Sequence, residues 1–122
     1  MRPALTVHVR THADTTVVAV AGELDLDTCA QVTNATDALP PLAGHVLVLD
    51  LSRLVFMDST GLNVLLTLRA RAQAEGGRLE LIDVPRQALH VLDLTGTRDL
   101  FALHWRPARS RGPAQAAGRG IR

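Results

Sequence analysis

The feature that most constrains this chain is the run Val46-Leu47-Val48-Leu49, closing on Asp50. Four consecutive apolar residues read as a strand covered on both faces, the pattern of a parallel sheet. Parallel neighbours are joined only through crossovers, so helices must separate the later strands. The flanking sequence supplies them. After the run, a loop through Ser52-Arg53 leads to Asp58-Ser59-Thr60-Gly61, where a helix opens with Leu62, Leu65, Leu66 and Ala72 at helical spacing. Gly76-Gly77 stops it. Leu79, Leu81 and Ile82 predict the next strand, and Pro85 stands at a first helical position. Leu89 and Leu92 mark a third helix ending near Gly96, and Leu100 to Trp105 predicts a last short strand.

The N-terminal part reads differently. Leu5, Val7 and Val9 alternate with Thr6, His8 and Arg10, the period-two signature of a half-buried strand. A turn at His12-Ala13-Asp14-Thr15 leads to a second strand, Thr16 to Ala21, antiparallel to the first and ended by Gly22-Glu23-Leu24-Asp25. From Asp27 to Leu39 the spacing of Cys29, Val32, Ala35 and Leu39 predicts a helix that Asp27 caps and Pro40-Pro41 terminates. The order is β-β-α-β-α-β-α-β, an α/β domain with a mixed, mostly parallel sheet and helices packed on it. The domain is expected over 1–106. Residues 107–122, rich in Arg, Gly, Ala and Pro, are read as a disordered tail.

Composition narrows the function. Aromatic residues make up 2% of the 122 residues, too few for stacking platforms on single-stranded nucleic acid. The net charge of +1 hides an asymmetry, since Arg106, Arg109, Arg111, Arg119 and Arg122 lie beyond the last acid. Without them the body carries about −4, which disfavours nucleic acid as a partner. The tail itself fits a solubilising extension better than a lipid- or nucleic-acid-binding arm, since it lacks apolar anchors. There is no lysine, which excludes a lysine-dependent phosphate loop or Schiff base. A single cysteine, Cys29, suits a reducing compartment and a small core side chain. No signal-like block and no run long enough for a membrane span occur, so a cytoplasmic location is expected.

The chemistry concentrates at Asp58-Ser59-Thr60-Gly61. Two hydroxyls stand at a helix start, where unsatisfied N–H groups and the positive dipole end favour an anion. A phosphate on Ser59 would be favoured by that field and opposed by Asp58, so attachment would change the local charge sharply. Ordinary N-capping explains the same residue types, and the two readings are compatible if Asp58 caps while Ser59 stays exposed.

The strand ending in Asp50-Leu51-Ser52, then Phe56-Met57-Asp58-Ser59-Thr60-Gly61-Leu62, resembles the signature of bacterial anti-sigma-factor antagonists, which are STAS domains. Gly22-Glu23-Leu24-Asp25 and Gly76-Gly77 resemble it too, and the likeness spans roughly residues 4 to 105. The resemblance implies a phosphorylation-switched binding module and not an enzyme. Ser59 would be the phosphoacceptor of an anti-sigma factor with serine-kinase activity, and a serine phosphatase would reset it. The unmodified form would bind the anti-sigma factor and release a sigma factor, regulating transcription. Asp25 and Asp58 would contribute to the partner surface; from the residue types themselves, Thr60 and Gly61 are expected to shape the helix start, and Gly61, lacking a side chain, to admit the partner's backbone. No cofactor is implied, since the partner kinase binds the ATP. A monomer or weak dimer is expected. The alternative within the fold is a soluble STAS subunit of a lipid-transport or stress-sensing complex.

Other constellations are weaker. Asp25-Leu26-Asp27-Thr28 resembles the nucleophile motif of haloacid-dehalogenase-type phosphatases, but the threonine comes one position early. The histidines at 8, 12, 45, 90 and 104 lack metal-ligand spacing, so no metal site is expected. A hydrolase triad built on Ser59 lacks the Gly-x-Ser-x-Gly elbow.

Overall fold

The computed structural model describes residues 4–107, so all but the first residue of the predicted tail lies outside the described residues. Five strands occur in the order β1 (Leu5–His12), β2 (Thr15–Leu24), β3 (Val46–Met57), β4 (Arg78–Ile82) and β5 (Ala102–His104). They form one sheet with that same spatial order; β1 and β2 are antiparallel, and every later pair is parallel. Three helices supply the connections: α1 (Cys29–Asp37), α2 (Ser59–Ala74) and α3 (Arg86–Thr95). A short 3-10 turn, Arg98–Leu100, precedes β5. Crossovers between successive neighbours all step one way, so the right-handed rule for parallel connections places the helices on one face of the sheet.

The burial pattern follows from that arrangement. Val18 and Val20 of β2, Leu47, Leu49 and Leu51 of β3 and Leu81 of β4 are buried against Leu65 of α2 and Leu92 of α3. The intervening residues Val17, Ala19, Asp50 and Ile82 are half-buried and face the other way. Leucine and valine build most of this core, as the scarcity of aromatics requires.

The strands and helices appear in the predicted order, with shifted limits. β3 does not stop at Asp50 but continues through Ser52-Arg53 to Met57. Two register shifts against β2, between Ala19 and Ala21 and between Gly22 and Glu23, insert extra residues into β3. They break the alternation that a sequence reading follows, yet keep Leu51, Leu54 and Met57 buried. α1 begins at Cys29, and Asp27 is exposed instead of capping it. Pro85 is the capping residue of α3 with extended backbone, one position before the predicted place.

Arg106, grouped by charge with the C-terminal arginines and expected as the last residue of the domain, makes fold-spanning ion pairs. Its guanidinium contacts both carboxylate oxygens of Asp50 at 3.1 Å and also pairs with Asp83. The backbone N–H of Arg106, followed by its guanidinium, holds Asp83 below the ordinary carboxylate range. A second tie joins α1 to α2: Arg71 donates to the carbonyls of Thr36 and Leu39 and to Glu75, and Glu75 accepts the N–H of Leu42. Those bonds, led by the Leu42 N–H, lower the Glu75 pKa.

Candidate functional site

Parallel pairing of β2 with β3 ends at Leu24 opposite Met57, so Asp25 and Asp58 leave adjacent strands side by side. The Asp58 N–H reaches the Leu24 carbonyl at 3.4 Å, linking the two loops. This is the carboxyl end of a parallel sheet, where loops carry function on a rigid frame.

Asp58 caps α2. Its Oδ1 accepts the N–H groups of Thr60 at 2.9 Å and Gly61 at 3.1 Å. Its backbone is extended, as a cap requires. The expectation of free N–H groups awaiting a phosphate therefore needs correction. Asp58 holds two of them, and the Leu62 N–H bonds the Asp58 carbonyl. A phosphate on Ser59 would meet a carboxylate already seated in the helix field. Ser59 itself is exposed, and its hydroxyl makes no hydrogen bond among the described residues. Thr60 is half-buried.

Asp25 has a similar local task. Its Oδ1 accepts the N–H of Asp27 at 3.0 Å and of Thr28 at 3.2 Å, closing the turn that leads into α1, whose own capping residue is Thr28 and not the expected Asp27. Thr28 is buried and donates its hydroxyl to the Glu23 carbonyl at 2.7 Å. Asp25 is half-buried. The two aspartates thus shape the two loops from within, and each leaves part of its carboxylate at the surface.

Gly61 does not open onto a partner. It is buried, and a Cβ there would lie 2.7 Å from the Leu24 carbonyl oxygen and 2.6 Å from Cγ of Met57. The glycine lets α2 pack against the end of β2, a role internal to the chain. The Gly22 of the neighbouring motif is similar: at φ +111, its Cβ would stand 2.2 Å from the Ala4 carbonyl oxygen.

One positioning residue escaped the sequence reading. β4 pairs with β3 only up to Asp50 and Ile82, leaving the end of β3 without a strand on that side. Gln87 of α3 takes the place of one. Its Oε1 accepts the Met57 N–H at 2.8 Å, and its Nε2 donates to the Met57 carbonyl at 2.9 Å. No motif announces this, since a glutamine in a first helical turn is ordinary; only the unpaired strand end gives it a task.

Around the site the surface is apolar. Leu26 is 73% exposed, Val55 70% and Phe56 41%. Phe56 lies opposite Glu23 in the strand pairing, and Val55 is the extra residue of the second register shift. Among the described residues, no group of His, Cys, Asp and Glu is placed to hold a metal ion, and no helix is long and apolar enough to cross a membrane. The arrangement offers an exposed hydroxyl among carboxylates and apolar side chains.

Comparison with known proteins agrees with this geometry. A family model described as "Mlab, STAS domain" matches residues 7–102. The anti-sigma-B factor antagonist of Bacillus subtilis (strain 168) is 29% identical over 91% of this chain and 98% of its own length. An anti-sigma F factor antagonist of Paenibacillus polymyxa is 32% identical over 82% of this chain and 86% of its own. Among solved structures, an anti-sigma factor antagonist from Mycobacterium paratuberculosis superposes with a TM-score of 0.70 at 28% identity, covering 93% of this chain and 92% of that one. SpoIIAA in its unphosphorylated form shares the fold, with a TM-score of 0.68 at 21% identity over 95% of this chain and 98% of that one.

Proposed function

The chain belongs to the STAS-domain family, among the anti-sigma factor antagonists, and we propose that it is a binding module switched by phosphorylation of Ser59. Unmodified, the protein docks an anti-sigma factor through the surface around Ser59 and so frees a sigma factor. The partner is itself the serine kinase and brings the ATP. A serine phosphatase restores the binding form. The observation that carries this reading is the exposed Ser59 hydroxyl directly after a capping aspartate, beside Asp25 and exposed Leu26 and Phe56.

The physics of the switch is exclusion by charge. Phosphate adds about −1.5 to −2 charges at neutral pH. Because Asp58 already accepts the Thr60 and Gly61 N–H groups, few local donors remain to neutralise them. Burying that charge under a docked partner brings desolvation and repulsion from Asp58 and Asp25. About 1.4 kcal/mol changes affinity tenfold, and loss of several kcal/mol removes binding at cellular concentrations. The switch needs no rearrangement of the fold. Thr60, half-buried, is the lesser acceptor.

The test is phosphate mapping by mass spectrometry after incubation with the genome's anti-sigma-factor kinase and ATP. One phosphate on Ser59, absent from Ser59→Ala, supports the reading; modification elsewhere, or none, overturns it. A soluble STAS subunit of a lipid-transport or stress-sensing complex is the second reading. It predicts no phosphate on Ser59 from that kinase.

A further inference from the structure

The helix-free face of the sheet carries a depression of about 310 Å³, away from the start of α2. Its bed is Ala19 and Ala21 of β2, half-buried and small. Thr6 and His8 of β1 form one wall, since they pair with Ala21 and Ala19. The other wall is Asp50, Ser52 and Arg53 of β3.

A bulge in β3 builds this wall. Two steps along β2, Ala19 to Ala21, match three along β3, Asp50 to Arg53. In a regular strand, residues three apart point to opposite faces. The extra residue, pinned by the Ser52 N–H donating to Asp50 Oδ1 at 3.0 Å, brings Asp50 and Arg53 to the same depression.

One cation there has no ion-pair partner of its own among the described residues. Asp50 is bonded by Arg106, whose guanidinium contacts both its oxygens at 3.1 Å and is shared with Asp83. Arg53 makes no ion pair or hydrogen bond among the described residues. The depression therefore holds one unmatched guanidinium, with the His8 ring and two hydroxyls as further polar groups above an alanine bed. A planar guanidinium fork fits a carboxylate through two parallel hydrogen bonds. One unpaired guanidinium fork offers a single two-bond seat, which fits one carboxylate.

We propose that this depression binds a small organic monocarboxylate, its carboxylate on Arg53 and His8 and its apolar body on Ala19 and Ala21. The volume lies at the small end of the range of about 300–1,000 Å³ usual for ligand sites, which limits the body to roughly one ring or a short chain. This site is independent of the Ser59 surface, and its occupancy does not depend on the phosphorylation reading.

The test is a titration of the ¹⁵N-labelled full chain with benzoate, followed by amide chemical shifts. Saturable shifts confined to Thr6, His8, Ala19 to Ala21 and Ser52-Arg53 are expected. Benzyl alcohol, with the ring but no charge, and acetate, with the charge but no ring, are each expected to bind about tenfold more weakly. Arg53→Gln, at an exposed position where folding is not at stake, should weaken benzoate by a similar factor. Ala19→Leu, which fills the bed, should abolish it. No saturable shift, shifts elsewhere on the surface, or an Arg53→Gln variant that binds as well as the parent overturns the proposal. Acetate binding as tightly as benzoate overturns the assignment of the bed.

Discussion

Gln87 and Met57 form a two-bond amide pair, at 2.8 and 2.9 Å, in which a helix side chain stands in for a missing strand. Met57 immediately precedes Asp58, so the pair fixes the backbone that presents Ser59. The position of α3 is thereby tied to the Ser59 loop.

Replacing Gln87 by Ala should cost about 1–3 kcal/mol, because the Met57 N–H and carbonyl lose their partners at a part-buried site. Urea denaturation measures the stability. Hydrogen exchange should localise the change to the Met57 amide. A variant with parental exchange at Met57 would show that the pair does not hold this strand end.

Gly61→Ala is expected to destabilise by about 1–3 kcal/mol, at the upper end because the nearest obstacle includes a backbone oxygen. The Leu24 carbonyl cannot swing away as a side-chain tip could. Thermal unfolding of the variant against the parent checks this, and an unchanged melting temperature would contradict the close approach.

Asp58 serves as cap and as charge, and two substitutions separate the roles. Asp58→Ala should lose about 1 kcal/mol of stability with the cap. Asp58→Asn keeps an oxygen for the Thr60 and Gly61 N–H groups and should stay within about 0.5 kcal/mol of the parent. If repulsion from Asp58 contributes to exclusion, the asparagine variant should also show a smaller loss of partner affinity on phosphorylation. Calorimetry on both forms reads that difference.

Acid should weaken the fold through Glu75 and Asp83. Both pKa values are lowered in the folded protein, by the Leu42 N–H and Arg71 in one case and by Arg106 in the other. The unfolded chain then binds these protons more readily. The stabilisation is fully present above the ordinary carboxylate pKa of about 4 and is lost as pH falls through the lower folded values. Urea midpoints should be flat near neutrality and fall at acid pH. The variants Glu75→Gln and Asp83→Asn should show a shallower fall, and an unchanged slope would argue against these bonds.

Much of the fold was legible because its signals are periodic. The run at Val46 gave a parallel strand, the spacing after Gly61 gave α2, and the glycines at 76 and 77 ended it. What escaped depends on pairing between distant segments. The register shifts that carry β3 past Arg53 require β2 as a partner, so the polar pair Ser52-Arg53 looked like a loop. The capping position of α1 falls to Thr28 because Asp25 closes a turn over Asp27 and Thr28, which spacing alone does not distinguish from a cap at Asp27. Gly61 looked like an opening for a partner, whereas its space is taken by Leu24 of the same chain. At the site, Ser59 was placed correctly as an exposed hydroxyl, because a helix start after a capping aspartate leaves the next side chain outward.

The most direct test of the switch is calorimetric binding of the anti-sigma factor to two preparations, one unmodified and one stoichiometrically phosphorylated on Ser59. Tight binding by the first, with a loss of at least about a hundredfold in the second, is the predicted result. Equal affinity in the two preparations would contradict exclusion by charge at Ser59.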